Sequence, residues 1–227
     1  MRTRVTVTLV AGVVVGTVSA ARRRRRRRSR PVFARWYGIL ARRAESSEIG
    51  RRRRALLEQA TGRVLDLGVG TGESFKHIPP TVLKLIALEP DPAMLRQAEA
   101  RLEEAHAPTR LVQGESERLP FAAGTFDTVV ACLVLCTVGD LAVTVAEIHR
   151  VLRPGGRLLL MEHVRASDEA LAEWQDLVDR PWSWVNGGCH PNRGTLQAVE
   201  EAGFRLGPLE RYGFPVLPHV QGLAVRE

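Results

Sequence analysis

Cysteine is scarce here, and its spacing serves none of its common structural uses. Cys132, Cys136 and Cys189 are odd in number, and their separations suggest neither a disulfide framework nor a zinc site, so no metal site is expected. A CxxxCxxC iron–sulfur motif would need a cysteine where Gly139 stands. Thiols without bridging partners fit a reducing compartment, and Cys132 and Cys136 read as small buried hydrophobes. Acidic residues are nearly missing from one end. Residues 1–54 hold 17 arginines against only Glu45 and Glu48, a local net charge of +15. Residues 55–227 hold 16 basic and 23 acidic residues, a net of −7 beneath a whole-chain charge of +8. A nucleic-acid partner would need basic residues grouped on the folded surface, and an NPPY-type base-flipping motif is also missing. No nucleic-acid partner is therefore expected. Internal repeats are absent too, and 227 residues suit one domain with an extension better than two domains.

The N-terminal extension carries its own signal. Residues 5–21, VTVTLVAGVVVGTVSAA, contain no charge and are bracketed by Arg2 and Arg4 before and Arg22 to Arg28 after. As a helix this stretch would run about 25 Å, against roughly 30 Å of bilayer hydrocarbon, which makes it marginal as a span. Val18, Ser19 and Ala20 resemble a signal-peptidase site, but the arginines behind them oppose translocation. Residues 1–30 are thus expected to be an anchor making membrane contact and leaving the rest of the chain on the cytoplasmic side. A poorly ordered tail on a soluble cytoplasmic protein is the alternative. Arg51 to Arg54 read as a solvated or headgroup-facing helix surface.

Residues 31–60 read as two cap helices, one around Trp36 to Leu40 and one over Ile49 to Gln59. Strand and helix patterns then alternate through residues 61–227. Strands are expected at 64–67, 83–89, 110–114, 126–133, 157–164, 204–211 and 219–225. Helices are expected from the Asp91 N-cap and Pro92 to about His106, over 141–152, near 168–180 and near 194–202. This alternation predicts an α/β fold, a Rossmann-like doubly wound, mostly parallel seven-stranded sheet with helices on both faces.

The strongest chemical signal is Asp66-Leu67-Gly68-Val69-Gly70-Thr71-Gly72, where the first strand breaks into glycines. Glycines let the backbone turn sharply and approach a ligand, and a helix is expected to follow with its free N–H groups aimed at the same place. A dinucleotide site has the spacing GxGxxG, but Glu73 stands where the third glycine would be. Asp66 suits a cationic ligand and would repel a pyrophosphate. S-adenosylmethionine (SAM), with its ammonium and sulfonium, is the cofactor these residues suggest, held by Asp66, Gly68, Gly70, Thr71 and Gly72. Glu89 closes the second strand, where a carboxylate can accept both ribose hydroxyls. Glu115, after the third strand, can take the adenine amino group.

These motifs resemble those of the class I SAM-dependent methyltransferases: a DxGxGTG loop, GESERLPF at 114–121, FDTVV at 126–130 and HRVLRPGG at 149–156. The resemblance implies that the glycine loop and Glu89 hold the methionine moiety and ribose, and that Glu115 and Ser116 sit at the adenine. It also implies that the end of the fourth strand, at Cys132 and Leu133, faces the transferred methyl. Val69 replaces the more usual Cys or small residue. ACLVLCTV (131–138), MEHV (161–164), GGCHPNRGT (187–195) and LPHVQGLAV (217–225) further resemble the membrane-associated thiol S-methyltransferases, the methyltransferase-like seven group, whose members also carry an N-terminal hydrophobic anchor. That likeness implies a small apolar acceptor, a thiol, with quinone or phenol acceptors and a non-catalytic SAM-binding module as alternatives. Nothing points to a protein partner.

Methyl transfer from a sulfonium is an in-line displacement, so alignment and desolvation supply much of the catalysis. A thiol acceptor would gain from a base. His163, at the carboxyl end of the fifth strand, and His190, beside Cys189, are the candidates. Trp174, Trp182 and Trp184 either wall an apolar acceptor pocket or pack the core.

Overall fold

The computed structural model describes residues 31–227, so the expected anchor over residues 5–21 and the run Arg22 to Arg28 lie outside the described residues. Helices α1 (Pro31–Ala44) and α2 (Glu48–Leu57) lead into seven strands: β1 (Gly62–Leu67), β2 (Val82–Glu89), β3 (Thr109–Gln113), β4 (Phe126–Cys132), β5 (Leu152–His163), β6 (Phe204–Phe214) and β7 (Leu217–Arg226). Between strands lie α3 (Pro92–Glu99), α4 (Leu141–Val151), α5 (Glu169–Val185) and α6 (Thr195–Glu201). The sheet order is β3-β2-β1-β4-β5-β7-β6, as a doubly wound fold requires. The strands from β3 to β5 are parallel, and β7 runs antiparallel to both β5 and β6. Strand order reverses between β1 and β4, so Leu67, Glu89, Cys132 and His163 end their strands along the edge where such sheets bind ligands.

Alternation along each strand builds two cores. Leu65, Leu67, Val129, Ala131, Leu158 and Leu160 pack one face against Val145 and Ile148 of α4 and Val199 of α6. Val64, Leu85, Ala87, Val130, Leu159 and Met161 pack the other against Leu56 and Leu57 of α2 and Phe75. Asp66 and Cys132 fall in register with this second face. The caps follow sequence logic: Asp91 Oδ1 accepts the Ala93 N–H at 2.7 Å, and Pro92 opens α3.

Three expectations need correction. After Gly72 the expected helix is replaced by a single 3-10 turn, Phe75–His77. Pro79 and Pro80 follow within three residues, and proline cannot donate to a helix ladder and disfavours helical geometry in its predecessor. Helix α2, from the N-terminal cap, helps to cover that face. Helix α3 ends at Glu99 rather than near His106, with a second 3-10 turn over Leu102–Glu104. Helix α5, by contrast, continues past Pro181 to Val185.

Candidate active site

The glycine loop takes the shape its residues permit. Gly68, Gly70 and Gly72 have φ of +67°, +59° and +87°, a region that L side chains rarely adopt. A Cβ on Gly68 would run into Val134 Cγ2, and one on Gly72 would lie 3.0 Å from Phe75 Cε2. Backbone and carboxylates hold the loop together. Val69 N–H donates to Leu88 O (3.0 Å), Gly70 N–H to Glu89 Oε2 (3.1 Å) and Gly72 N–H to Val69 O (3.0 Å). The other Glu89 oxygen accepts the Asp91 N–H at 2.9 Å, so this buried carboxylate ties the loop to the start of α3. Asp66 is also buried and accepts the Ser74 hydroxyl. Burial pushes its carboxyl up to about 6, against the opposing pull of Ser74 and the Arg53 guanidinium.

Thr71 donates its hydroxyl to Glu73 Oε2 at 2.6 Å, and Glu73 Oε1 pairs with Arg101 Nη1 at 2.7 Å. Glu73, where a dinucleotide-binding loop has its third glycine, thus clamps the loop to the segment after α3. Ser116 sits on the loop after β3 and donates to Glu117 Oε2 at 3.3 Å, while the other Glu117 oxygen accepts the Gly139 N–H at 2.7 Å. Glu115 is exposed on the same loop.

At the end of β4 the chain enters a strained turn. Leu133 has φ of +56°, the one left-handed non-glycine among the described residues, and its N–H donates to Met161 O at 2.8 Å. Glu162 explains how the turn is held. Its fully buried carboxylate accepts the N–H groups of Val134 (2.9 Å), Leu135 (2.9 Å) and Cys136 (3.2 Å). Burial nonetheless pushes Glu162 up to about 7. Burial likewise pushes the Cys132 thiol up to about 12, so it is not an activated nucleophile.

Of the two candidate bases, His163 faces the strand ends, with Nδ1 3.5 Å from Cys189 Sγ. Its ring packs on His219 at 4.2 Å between centroids, His219 stacks on Tyr212 at 5.0 Å, and Arg52 lies 3.9 Å above the Tyr212 ring. Burial, reinforced by His163, lowers His219 to about 4. His190 is engaged elsewhere: Nδ1 is 2.8 Å from Asp179 Oδ1 and Nε2 is 3.5 Å from Ser183 Oγ, tying the loop after α5 back to that helix. Cys136 and Cys189 share a hydrogen bond at 3.6 Å. Cys189 is the more acidic of the two, because Cys136 and then His163 stabilise its thiolate.

The N-terminal helix closes over this site. A Cβ on Gly70 would lie 3.8 Å from Tyr37 Cε1, one on Gly38 would lie 3.5 Å from Thr71 Cγ2, and one on Gly187 would strike the Phe33 ring. Helix α1 therefore spans from the glycine loop to the loop after α5. Burial pushes the Tyr37 hydroxyl up to about 12.

Several of these residues escape sequence reading. Arg51 to Arg54 do not form one solvated surface: Arg52 bridges Glu48 and Glu210, and Arg53 pairs with Glu45, which is itself buried beside Lys76 and His77. Trp174 and Trp184 do not pack the core, being exposed on α5, whereas Trp182 is half-buried on the same helix. Glu162 gives no signal in a strand sequence, since its partners come from 26 to 28 residues earlier.

The chain is similar to known methyltransferases. Residues 65–160 match the family model described as a methyltransferase domain. Thiol S-methyltransferase TMT1B of Homo sapiens is 36% identical over 186 residues, covering 75% of this chain and 74% of that one. The ubiquinone/menaquinone biosynthesis C-methyltransferase UbiE of Syntrophotalea carbinolica is 34% identical over 175 residues, 73% of this chain and 74% of its own. The crystal structure of a putative methyltransferase from Bacillus halodurans superposes with a TM-score of 0.63 at 25% identity, covering 73% of this chain and 72% of that one. The chain belongs to the class I SAM-dependent methyltransferases. Its cofactor is SAM, as the glycine loop and Glu89 suggest, and the site fits that group. Three glycines clear side chains from the loop, and the carboxylates of Asp66 and Glu89 flank it. When bound, SAM supplies an electrophilic methyl on a sulfonium. In this methyltransferase Glu89 would hold the ribose, the loop from Gly68 to Gly72 the methionine moiety, and Leu133 the end from which the methyl departs.

Proposed function

We propose that this methyltransferase acts on a small apolar thiol, held at the carboxyl ends of β4 and β5 beneath α1. The observation that carries this reading is the gathering of His163, Cys136 and Cys189, soft and proton-exchanging groups, at the carboxyl ends of β4 and β5 near the strained Leu133 turn. The likeness to TMT1B, a thiol S-methyltransferase over three quarters of both chains, supports the same class. Thiol sulfur is a good nucleophile only as thiolate, and an ordinary thiol has a pKa near ~8.5, so a site that favours the anion is what this chemistry needs. The protein's other task is alignment. The turn fixed by Glu162 and the loop fixed by Glu89 set the angle between acceptor and methyl, and α1 excludes water. A screen of purified full-length enzyme with SAM against alkyl and aryl thiols, demethylated quinones and phenols tests the class. Methylated thiols are the expected product, and methylation of quinones or phenols without thiols rejects the reading.

The protein is further proposed to work at the cytoplasmic face of a membrane, attached through residues 1–30. No helix among the described residues is long and apolar enough to cross a membrane. What supports attachment is the charge-free run of residues 5–21 followed by seven arginines, and the exposed apolar residues of α1 and α5.

A further inference from the structure

Three groups with metal-ligating chemistry converge at the acceptor end of the sheet. Cys136 lies on the loop after β4, His163 ends β5, and Cys189 belongs to the loop after α5. Cys189 Sγ stands 3.6 Å from Cys136 Sγ and 3.5 Å from His163 Nδ1, and all three ligand atoms fall within 4.8 Å of one another. A tetrahedral zinc ion, with Zn–S bonds of about 2.3 Å and a Zn–N bond of about 2.0–2.1 Å, separates its ligands by about 3.8 Å from sulfur to sulfur and about 3.5 Å from sulfur to nitrogen. Two edges of the triangle already have nearly those lengths. Sulfur with imidazole is the donor set of zinc-class cations, not of magnesium or calcium.

The surroundings support the same reading. Cys136 is fixed from both sides, its N–H by Glu162 and its carbonyl by the His190 N–H at 2.8 Å. The His163 ring packs on His219, which in turn stacks on Tyr212. Ligands held by such supporting contacts are what a metal site requires. Cys136 and Cys189 are buried while His163 is half-buried. Structural zinc sites use four protein ligands, whereas catalytic ones keep three and an open position.

We infer that Cys136, His163 and Cys189 form a three-ligand site for a zinc-class divalent cation whose fourth position takes the sulfur of the methyl acceptor. This rests on the thiol reading above and gives it a mechanism. The two cysteines lose their protons to solvent as the cation binds. An acceptor thiol loses its own proton to solvent on joining the fourth position, because the cation lowers its pKa. A lone pair of that sulfur then attacks the methyl carbon of SAM. The carbon–sulfur bond of the sulfonium breaks with its electron pair remaining on the cofactor, giving S-adenosylhomocysteine and a neutral thioether, a weaker ligand that departs. No oxidant or reductant is needed.

The test uses the full chain, stripped with a chelator under reducing conditions, incubated with Zn²⁺ or Co²⁺ and desalted. About one metal per chain should be retained, and the Co²⁺ form should show sulfur-to-metal charge-transfer absorption with the intense visible bands of a tetrahedral site. Cys136→Ser, His163→Ala and Cys189→Ser should each lower retention at least tenfold while S-adenosylhomocysteine affinity, measured by calorimetry, changes less than twofold. Adding benzyl mercaptan should shift the Co²⁺ spectrum. Retention by the parent chain no greater than by Cys189→Ser overturns the site, as does a Cys136–Cys189 disulfide that persists in the reduced, metal-exposed protein. Recovery of His163→Ala turnover at alkaline pH without metal assigns His163 as a base and overturns the site as well. Methylation of benzyl mercaptan with an unchanged Co²⁺ spectrum rejects the fourth-position role alone and leaves the thiol reading standing. If metal is retained but no thiol is methylated, the thiol reading falls and takes the acceptor half of the inference with it.

Discussion

At the scale of single residues, Gly68 and Glu162 act on opposite sides of one turn. Val134 lies between them, its Cγ2 in the space a Cβ on Gly68 would need and its N–H 2.9 Å from the Glu162 carboxylate. Gly68→Ala forces an L-residue to φ of +67°, at a cost of roughly 1–2 kcal/mol, and also pushes Val134 against a turn that cannot yield without breaking hydrogen bonds to a buried carboxylate. Calorimetry should therefore show SAM binding weakened at least tenfold, with the melting temperature lowered and the circular dichroism spectrum kept. Unchanged affinity in a folded Gly68→Ala protein would mean that the loop is not the cofactor's seat. Gly68 was legible in the sequence because its role is local: a backbone that must turn at the end of a strand asks for glycine. Glu162 was not, because a carboxylate in a run of buried strand residues says nothing about the three N–H groups it will meet. Cys136, His163 and Cys189 were hidden for the same reason, being joined by topology and not by spacing.

At the scale of elements, the segments with strong local signals kept their places. Asp91 and Pro92 open α3, and the alternating apolar runs are all strands of one sheet. Boundaries failed where tertiary contacts or prolines intervened, most visibly after Gly72, where a 3-10 turn replaces a helix. Helix α1 was readable as a helix, but nothing in its amphipathic pattern said that it would lie across the site. A helix of 14 residues is marginal by itself, so its order depends on what it touches. Phe33 meets Gly187 and Tyr37 meets Gly70. Phe33→Ala should loosen α1 while the sheet, whose cores do not include Phe33, keeps its stability. Amide hydrogen exchange should accelerate over residues 31–44 but not over β4 and β5, and KM for SAM should rise several-fold. Uniform exchange and an unaltered KM would show that α1 is not a cover of the site.

At the scale of the whole molecule, charge and apolar exposure are divided in a way that the fold does not need. The net charge of +15 on residues 1–54 contrasts with −7 on the rest. Within the described part, Arg52 and Arg53 are spent on internal pairs, while α1 shows Val32 84% and Trp36 60% exposed and α5 shows Leu177 79% and Trp184 83% exposed. The contact of Phe33 with Gly187 brings α1 to the loop that follows α5, so the apolar residues of the two helices belong to neighbouring parts of the surface. A bilayer with anionic lipids answers both features, since each basic residue near such a surface contributes about 1 kcal/mol and tryptophan favours the interface. It would also place the acceptor side of the site beside a phase in which apolar thiols concentrate. Two elements of different reach should then separate in a sedimentation assay with vesicles of phosphatidylcholine and phosphatidylserine. The full chain should pellet and remain pelleted in high salt if residues 5–21 insert. Removal of residues 1–30 should leave weak binding that salt abolishes or that Trp36→Ser reduces. Because Trp36 is largely exposed, its substitution should change stability by less than about 0.5 kcal/mol, so a loss of vesicle binding could not be blamed on unfolding. A full chain that stays in the supernatant at low salt with phosphatidylserine vesicles would refute membrane attachment without touching the methyltransferase chemistry.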